Sequence, residues 1–458
     1  MKRIGNIWKD VVDKDNGVHA VIAGTEHKRK DRNVQKLLYD AEAVAADPSC
    51  WHMVDPKKAE DFVLPIIELL ATGTYRHSPP RYRRQFCRNR ASSRGKWRDL
   101  YIPTLEDHTV HHMVMNASMK AFTRGMHPHC CGSVPGRGIK HILRTVSYWM
   151  QEDKTCRYFV KLDIRKFFDS IDKDILKVKL RRKIKDKRVL QLHDMIIDSA
   201  GQLENELIGL PEGSRRPKDL ATPVGYYTSP WYGNLYLEDL DWFIEQQLYK
   251  ERRGRRIKYV RHQLRYVDDI LLIGTSKKDL EKAVRAIAEY LQKNYDLKIK
   301  DCWEIKQIGK HEVIDGRWRL RPGTYWCDIG GYKFCKDGVI LRDGIFLETR
   351  RLARRMYKQG YYTKHQCDSI NARIGWSKHC NSRNFIENEI KPYVDIKRTR
   401  RISADVDKVG KRGTDQTASR RGERRYGDRA KRNSEGRGDR GDAGALHMEG
   451  VADEPPPV

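Results

Sequence analysis

The sequence contains no long apolar run, no lipidation motif, no paired CxxC unit and no internal repeat. The first two absences disfavour a membrane role, and "MKRIGNIWKD" has no signal-peptide apolar region behind its basic residues. We therefore expect a cytoplasmic protein without a membrane partner. The ten cysteines are scattered, which favours reduced thiols. The cluster "HPHCC" at 127–131 lacks the distant second ligand pair that a structural zinc site usually needs.

Positive charge is what the chain has in excess. It holds 91 Lys and Arg against 62 Asp and Glu, a formal net charge of +29. Residues 411–440 contribute 11 basic and 5 acidic residues, or +6, which leaves +23 elsewhere. Such an excess favours a polyanionic partner, with nucleic acid as the default. The basic stretch 79–98 interleaves Tyr82, Phe86 and Trp97, which suits stacking on bases, although a charge run is often only a solvated face.

Periodicity predicts a mixture of helices and short strands. A strand carries Asp163 near its end, and "RYVDDILLIG" (265–274) predicts strand, turn and strand. Several short strands are expected through Leu341, and a turn-rich loop at 211–225. From about Ser403 the composition predicts a disordered tail. Helices are predicted for the segment ending near Gly73, after Gly136, over "DKDILKVKLRRKI", over 229–248 as one long helix with Pro230 near its start, over 277–295 with a Ser276–Asp279 capping box, and within 346–395.

The chemistry rests on carboxylates placed within apolar strands. If the two β elements are adjacent, Asp163, Asp268 and Asp269 converge at one sheet edge. Three clustered carboxylates do not all stay ionised without a counter-cation, and Mg²⁺ is a hard, oxygen-binding ion that suits them. Two such ions would activate a 3′-hydroxyl and stabilise departing pyrophosphate, which is nucleotidyl transfer. A hydrated hairpin turn is the alternative, because Asp favours turns; the apolar flanks and the upstream Asp163 argue against it.

In order and content, these motifs resemble those of prokaryotic reverse transcriptases, the group that includes group II intron, retron and diversity-generating retroelement enzymes. The resemblance covers about residues 1–400 and implies an α+β right-hand polymerase. Its parts would be an N-terminal region with fingers (1–155), a palm with an antiparallel sheet (156–335), a helical thumb (336–402) and a disordered basic tail (403–458). It implies a bacterial or phage-encoded RNA-directed DNA polymerase that uses template RNA, primer, cDNA and dNTPs, with two Mg²⁺ ions or, alternatively, Mn²⁺.

The resemblance also implies roles for single residues. "VKLDIRKFFDSID" and "RYVDDILLIG" match the metal-binding motifs, with Asp163, Asp268 and Asp269 as ligands. Phe168 matches the steric gate that selects deoxynucleotides; core packing is the other interpretation. Lys300 in "LKIKDCWEIKQI" would lie near the triphosphate and protonate pyrophosphate, or be a solvated lysine at a helix end. The remaining implied positions are Arg98 of "KWRDLYIP", Val224, Gly225 and Tyr266 for the nucleotide, and Gly330, Gly331 and Tyr332 of "DIGGYKF" for the primer grip.

The segment "ATPVGYYTSPWYGNLYLEDLDWFI" bears on the subfamily. Group II intron enzymes usually carry glutamine where Val224 stands, whereas diversity-generating enzymes carry an aliphatic residue. Val224, Gly225 and Ser229 fit the diversity-generating pattern, and "ILRDGIFLETRRLARRM" resembles it too, but Pro230 has the group II and retron form. Diversity-generating membership would imply error-prone copying and a small basic accessory protein. A group II intron-like or defence-associated reverse transcriptase remains an alternative, as does a non-catalytic RNA-binding protein that keeps the fold.

Overall fold

The computed structural model describes residues 2–26, 28, 31–39, 54–88, 95–199, 222–314 and 317–404. The predicted disordered tail from residue 405 and the predicted loop at 211–221 lie outside these ranges. The described chain divides into a first unit, 2–144 with 158–305, and a second unit, 145–157 with 306–404. The finger, palm and thumb boundaries at 155, 335 and 402 remain predictions. Among the described helices, none combines the length and apolar character needed to span a membrane.

The N-terminal part of the first unit is mainly helical, with one β-hairpin. One helix of this part begins at Pro56, directly after the N-cap residue Asp55. It ends at Gly73, as predicted, and Gly73 forms a left-handed C-cap with φ of 75°. The predicted helix after Gly136 is also present. The elements are α1 (Trp8–Val11), α2 (Lys14–Thr25), α3 (Arg32–Leu38), α4 (Pro56–Thr72), β1 (Arg81–Arg88), β2 (Gly95–Ile102), α5 (Leu105–Thr123), β3 (Cys130–Cys131) and α6 (Ile139–Glu152).

A sheet at the centre of the first unit holds the predicted acidic strands. Its strands follow the spatial order β3, β7 (His262–Tyr266), β8 (Asp269–Gly274) and β4 (Tyr158–Asp163). β3 runs parallel to β7, and the other neighbours are antiparallel. Residues 270–273 of β8 are each 1% exposed or less, so this strand is covered on both faces, which explains its continuous apolar run.

Helices of the first unit bury their apolar faces in one core with this sheet. The predicted single helix over 229–248 is wrong, because the chain forms two helices that break at Leu237 (φ −97°, ψ 9°). The Leu237 carbonyl accepts hydrogen bonds from the N–H groups of Leu240 and Asp241, so it starts the second helix. Pro230 lies in the first turn of the earlier helix, as predicted. The elements are α7 (Lys173–Lys183), α8 (Lys187–Asp198), α9 (Ser229–Tyr236), α10 (Glu238–Gln247), β5 (Tyr249–Arg252), β6 (Arg255–Lys258) and α11 (Lys277–Tyr295).

The predicted capping box of α11 is half present. The Ser276 hydroxyl accepts the Asp279 N–H at 3.4 Å, as expected of an N-cap. The Asp279 carboxylate accepts hydrogen bonds from Lys250 Nζ at 2.6 Å, which ties the β5–β6 hairpin to the start of α11. The acid therefore serves a long-range ion pair that a local sequence pattern does not contain.

The second unit combines short β-strands with a cluster of helices. This agrees with the predicted short strands and with the predicted helical region 346–395. Strands β12, β13 and β14 form one antiparallel sheet, and β10 pairs with β11. Its helices enclose a separate apolar core around Met356, Ile370 and Ile390. The fold class is α+β. The elements are β9 (Lys306–Gln307), β10 (His311–Ile314), β11 (Arg317–Leu320), β12 (Cys327–Ile329), β13 (Tyr332–Cys335), β14 (Gly338–Leu341), α12 (Asp343–Gln359), α13 (Lys364–Ser377), α14 (Arg383–Phe385) and α15 (Ile396–Ala404).

Candidate active site

The three predicted carboxylates converge at one end of the β4–β8 ladder. Asp163, the last residue of β4, is the direct cross-strand partner of Asp269, the first residue of β8. Asp268 precedes it in the two-residue turn between Tyr266 and Asp269, which are themselves paired. Side chains directly opposite each other in an antiparallel pair lie close together, so the register alone brings two acids to one edge. The predicted convergence is therefore present.

The Asp268 carboxyl lies in a partly buried environment close to the other two acids. Burial raises the pKa of its carboxyl to about 6, and the negative charges of Asp269 and Asp163 act in the same direction. Its own backbone N–H and the Lys300 ammonium oppose this rise. The donor set is thus hard carboxylate oxygen, in a place where three acids are close to one ammonium group, that of Lys300. Such a set fits a divalent ion such as Mg²⁺.

Lys300 is fixed beside Asp163 by both backbone and side chain. Its N–H donates to the Asp163 carbonyl at 2.8 Å, and its Nζ lies 2.7 Å from Asp163 Oδ1. The hydrogen bond to Asp163 raises the pKa of Lys300, so the ammonium keeps its proton at neutral pH. Neighbouring Ile299 forms a bridge with Ile164. The structure therefore brings Lys300 together with the acids rather than leaving it as a solvated lysine at a helix end.

The turn that carries Asp268 has a strained backbone and is held in place by a hydrogen bond from Arg265. Val267 has φ of 58°, a left-handed backbone that a β-branched residue rarely adopts. Its carbonyl accepts a hydrogen bond from Arg265 Nη1 at 2.9 Å. On the other side, a Cβ placed on Gly132 would lie 3.0 Å from the Val267 side chain and 3.3 Å from the Tyr266 ring. The hairpin turn thus sits against a glycine and on a guanidinium.

Arg265 belongs to a buried polar network that the sequence patterns did not reveal. The Arg265 guanidinium contacts Asp241 through Nε at 2.7 Å and Nη2 at 2.6 Å, and the side chains are 2% and 3% exposed. Nη2 also donates to the Asn234 carbonyl at 3.2 Å, while Asn234 Nδ2 donates to the Gly132 carbonyl at 2.8 Å. The available signals were a charged residue in an apolar strand and an acid on the buried side of α10.

The Phe168 ring lies beside the Phe167 ring, and both rings are close to Gly233 of α9. Its ring centroid is 5.4 Å from that of Phe167, and it packs against the edge of the main core. A Cβ on Gly233 would lie 3.0 Å from the Phe167 ring and 3.4 Å from the Phe168 ring. The Phe168 carbonyl accepts a hydrogen bond from Thr222 Oγ1 at 3.1 Å. The side chain is therefore positioned by packing while remaining only partly buried.

Val224 and Gly225 are joined to strand β2. The Tyr101 N–H donates to the Val224 carbonyl at 2.8 Å. Gly225 has φ of 121°, and a Cβ there would lie only 2.3 Å from the Tyr101 carbonyl oxygen. Glycine is consequently required by both conformation and space. The half-buried Val224 side chain offers no hydrogen-bonding group at this position.

Arg98 lies on the same strand, three residues before Tyr101, and is exposed. Alternation along a strand points Arg98 and Tyr101 to opposite faces. On the Tyr101 face of the β1–β2 hairpin, Phe86 and Trp97 are 44% and 55% exposed and contact each other edge to face. The Arg84 guanidinium lies 5.5 Å from the Trp97 ring. The hairpin thus presents aromatic and cationic groups to solvent together.

The predicted primer-grip residues belong to the second unit. Gly330 and Gly331 form a two-residue turn between β12 and β13 with φ of 61° and 86°, the conformation that tight hairpins require. A Cβ on Gly331 would meet the Trp376 ring at 2.3 Å. Tyr332 stacks on that ring and donates to the Trp376 carbonyl at 3.0 Å. Its role as a primer grip remains a prediction.

The "HPHCC" cluster has protein partners. Cys130 Sγ lies 3.2 Å from Arg265 Nη2, and the His127 ring packs edge-on against Trp242. Burial raises the pKa of Cys130 and Cys131 to about 12, so both are neutral thiols. None of the nine cysteines in the described part of the chain forms a disulfide.

A family model described as "Reverse transcriptase (RNA-dependent DNA polymerase)" matches residues 88–301, which span the acids, Lys300, Phe168 and Val224. Residues 88–301 are thus similar to the reverse transcriptase family. The chain is also similar to group II intron-encoded proteins. It is 28% identical over 246 residues to the group II intron-encoded protein LtrA of Lactococcus lactis subsp. cremoris, covering 53% of this chain and 39% of that protein. It is 26% identical over 216 residues to Protein YkfC of Escherichia coli K12, covering 42% and 55%.

Among solved structures, the chain is similar to apo telomerase from Candida tropicalis truncated from its C-terminal domain. The TM-score is 0.37 at 15% identity, covering 60% of this chain and 59% of that one. Telomerase from the same organism in complex with a fragment of telomeric RNA gives a TM-score of 0.38 at 12% identity, covering 70% and 57%. The likeness is too distant to assign a role to any residue.

The buried Arg265–Asp241 pair generates a stability prediction. Asp241→Asn should lower the free energy of unfolding by about 3–5 kcal/mol, because it leaves a buried guanidinium without its counter-charge. Denaturant unfolding measures this. The matched control is Glu245→Gln on the same helix, whose pair with Lys258 is exposed and should contribute about 1 kcal/mol or less. Equal losses in the two variants would contradict the structural role given to Asp241.

The raised pKa of Asp268 generates a pH prediction. The pKa of an aspartate side chain is near 4 in the unfolded protein. Because the pKa of Asp268 is about 6 in the folded protein, the free energy of unfolding falls as the pH rises from about 4 to about 6. In chelator-treated buffer, Asp268→Asn should therefore gain about 2 kcal/mol relative to wild type over that interval. Unfolding curves across pH measure the difference. The exposed Asp301→Asn control should show no such gain, and a pH-independent difference for Asp268→Asn would refute the crowded-carboxylate environment.

Proposed function

We propose that this protein is an RNA-directed DNA polymerase that synthesises cDNA on a template RNA. The observation that carries the proposal is the register of β4 and β8, which opposes Asp163 to Asp269 beside Asp268 within the matched reverse transcriptase domain. The matched regions cover 39% and 55% of the two relatives named above, so the activity of the whole protein is a proposal.

In this proposal, the three aspartates hold the divalent ions and Lys300 supplies a mobile proton. The ions, when bound, neutralise charge on the attacking 3′-hydroxyl and the departing pyrophosphate. Lys300 is protonated at neutral pH and is held at the edge of the carboxylate cluster by Asp163. Its ammonium is therefore placed to donate a proton to the leaving group as the bond to pyrophosphate breaks.

Phe168 is proposed to select deoxynucleotides. A bulky ring beside the sugar would clash with a ribose 2′-hydroxyl, and a ring fixed by neighbours excludes it better than a mobile one. Phe167 on one side and the surface of α9 at Gly233 on the other supply that fixation. This packing supports the proposal that Phe168 is a steric gate whose ring is held in position by its neighbours.

Template RNA, primer and dNTPs are the proposed partners, in a cytoplasmic protein. The formal charge of +29 supports a polyanionic partner. The exposed Phe86–Trp97 pair with its adjacent Arg84 supports stacking and backbone contacts on the β1–β2 hairpin. Arg98 and Tyr266 are proposed to contact the incoming nucleotide, and Gly330, Gly331 and Tyr332 the primer. An accessory basic protein is part of the diversity-generating version of the proposal.

Two proposals for the kind of genetic element to which the enzyme belongs have separate support. An aliphatic Val224, whose backbone is fixed to Tyr101 and whose side chain forms no hydrogen bond to a template strand, supports error-prone, diversity-generating synthesis. The similarity to a group II intron-encoded protein and the presence of Pro230 at the start of α9 support an intron-like enzyme. A third alternative, an RNA-binding protein without activity, is separated from both by the following experiment.

Asp268→Asn should abolish polymerisation. Loss of one charge that stabilises the transition state typically lowers rates by about 10²–10³-fold, so incorporation of labelled dNTP on a primed RNA template should fall at least that far. Asp301→Asn is the control, since it removes an exposed acid near Lys300 without touching the cluster. Equal incorporation by wild type and Asp268→Asn, or none by either with RNA binding intact, would overturn the catalytic proposal.

Val224→Gln should lower the error rate. A glutamine amide restores a hydrogen-bonding group beside the template strand, and geometric checking of the base pair becomes stricter. Sequencing of the cDNA from primer extension gives the misincorporation frequency, which should fall most opposite template adenine. The control, Val178→Gln, changes an exposed valine on α7 and should leave the spectrum unchanged. An unaltered error spectrum in Val224→Gln would remove the support for error-prone synthesis at this residue.

A further inference from the structure

A cluster of three metal-binding side chains lies in the second unit, outside the polymerase motifs. His311 starts β10, Cys335 ends β13, and Asp337 occupies the two-residue turn between β13 and β14. Their donor atoms all lie within 4.8 Å of one another. Nitrogen, sulfur and carboxylate oxygen from two separate β elements thus meet at one point.

The distances match one face of a tetrahedral site. His311 Nδ1 lies 2.9 Å from Asp337 Oδ1, Cys335 Sγ lies 3.1 Å from the same oxygen, and Sγ lies 3.8 Å from Nδ1. Zinc–ligand bonds of about 2.0–2.3 Å at tetrahedral angles separate the donors by about 3.3–3.6 Å. The three observed separations bracket that range, so small side-chain adjustments would bring all three donors onto one ion.

The backbone holds the two halves of the cluster in this arrangement. The His311 N–H donates to Asp337 Oδ2 at 2.9 Å, and the Lys336 N–H donates to the Gly309 carbonyl at 2.8 Å. The ammonium of Lys336, which lies between Cys335 and Asp337 in the sequence, is directed to the Asp153 carbonyl at 3.2 Å. These backbone contacts therefore hold the donors close together, and the Cys335 thiol also donates to the Gly338 carbonyl at 3.3 Å.

Burial gives the site both enclosure and access. Cys335 is fully buried, whereas the side chains of His311 and Asp337 are 15% and 30% exposed. A soft thiolate with imidazole and a single carboxylate selects zinc over magnesium. The exposed side leaves room for water as a fourth ligand.

We propose that His311, Cys335 and Asp337 bind one zinc ion that joins β10 to the β13–β14 turn. Binding breaks the Cys335 S–H bond, forms a Zn–S bond and releases the proton to solvent. The ion would replace the hydrogen bonds among the three side chains and stabilise the β elements that precede α12. This site shares no residue with the Asp163–Asp268–Asp269 cluster.

Cobalt substitution of the full-length protein tests the proposal directly. After chelator treatment and its removal, titration with Co²⁺ should give one thiolate-to-cobalt charge-transfer band per chain together with intense tetrahedral d–d bands, and Zn²⁺ should displace both. Asp268→Asn should retain these bands, because the catalytic acids have no sulfur ligand. Absence of a thiolate band in wild-type protein would overturn the proposal and leave the cluster as a hydrogen-bonded network.

Variants identify the ligands. Cys335→Ser should remove the charge-transfer band, and Asp337→Asn should weaken Zn²⁺ binding at least about tenfold in competition with a colorimetric chelator. Cys380→Ser is the matched control, a half-buried cysteine of the same unit bonded to Ser382, and should bind as wild type does. Zn²⁺ should raise the melting temperature of wild type and Cys380→Ser. A thiolate band that persists in Cys335→Ser would assign the sulfur ligand elsewhere and refute the site.

Discussion

Repulsion among three carboxylates is the constraint around which the first unit is organised. Asp163 and Asp269 face each other across the β4–β8 ladder, and Asp268 lies half-buried beside them with a pKa raised to about 6. Electrostatics alone would separate these groups. They stay together because β4 pairs with β8, and residues 270–273 of β8 are buried on both faces of the strand. Hydrophobic burial therefore sets the geometry that the chemistry needs.

The hairpin turn needs a second restraint, since a two-residue turn with Val267 at positive φ is not favoured by its own sequence. Arg265 supplies it by binding the Val267 carbonyl while its charge is neutralised by Asp241. Asp241 is buried only because the chain breaks at Leu237 and begins α10 there. A helix break some thirty residues upstream thus bears on the position of Asp268. The Arg265–Asp241 pair is thus a second, buried set of polar contacts that supports the turn carrying Asp268.

The sequence was sufficient for the parts of the site that depend on local pattern. Strand periodicity placed Asp163 near a strand end and Asp268 and Asp269 in a strand–turn–strand segment. It was insufficient where partners are distant. The break at Leu237 has no proline or glycine to mark it, and the pairing of Asp279 with Lys250 or of Arg265 with Asp241 depends on tertiary contact. The roles of Arg98 and Val224 rest on resemblance, because their chemistry requires a nucleic acid.

Gly225 shows how the residues proposed to face the nucleotide depend on the same scaffold. Its backbone lies against the Tyr101 carbonyl so closely that a methyl group would overlap it, and the Val224 carbonyl is bonded to the Tyr101 N–H. The Val224 side chain is therefore fixed relative to β2, the strand that also carries Arg98. A substitution at 224 changes chemical character without releasing this backbone contact. Any effect of residue 224 on copying would consequently arise from the side chain, since the main chain is restrained by Tyr101 and by the φ that only glycine readily adopts at 225.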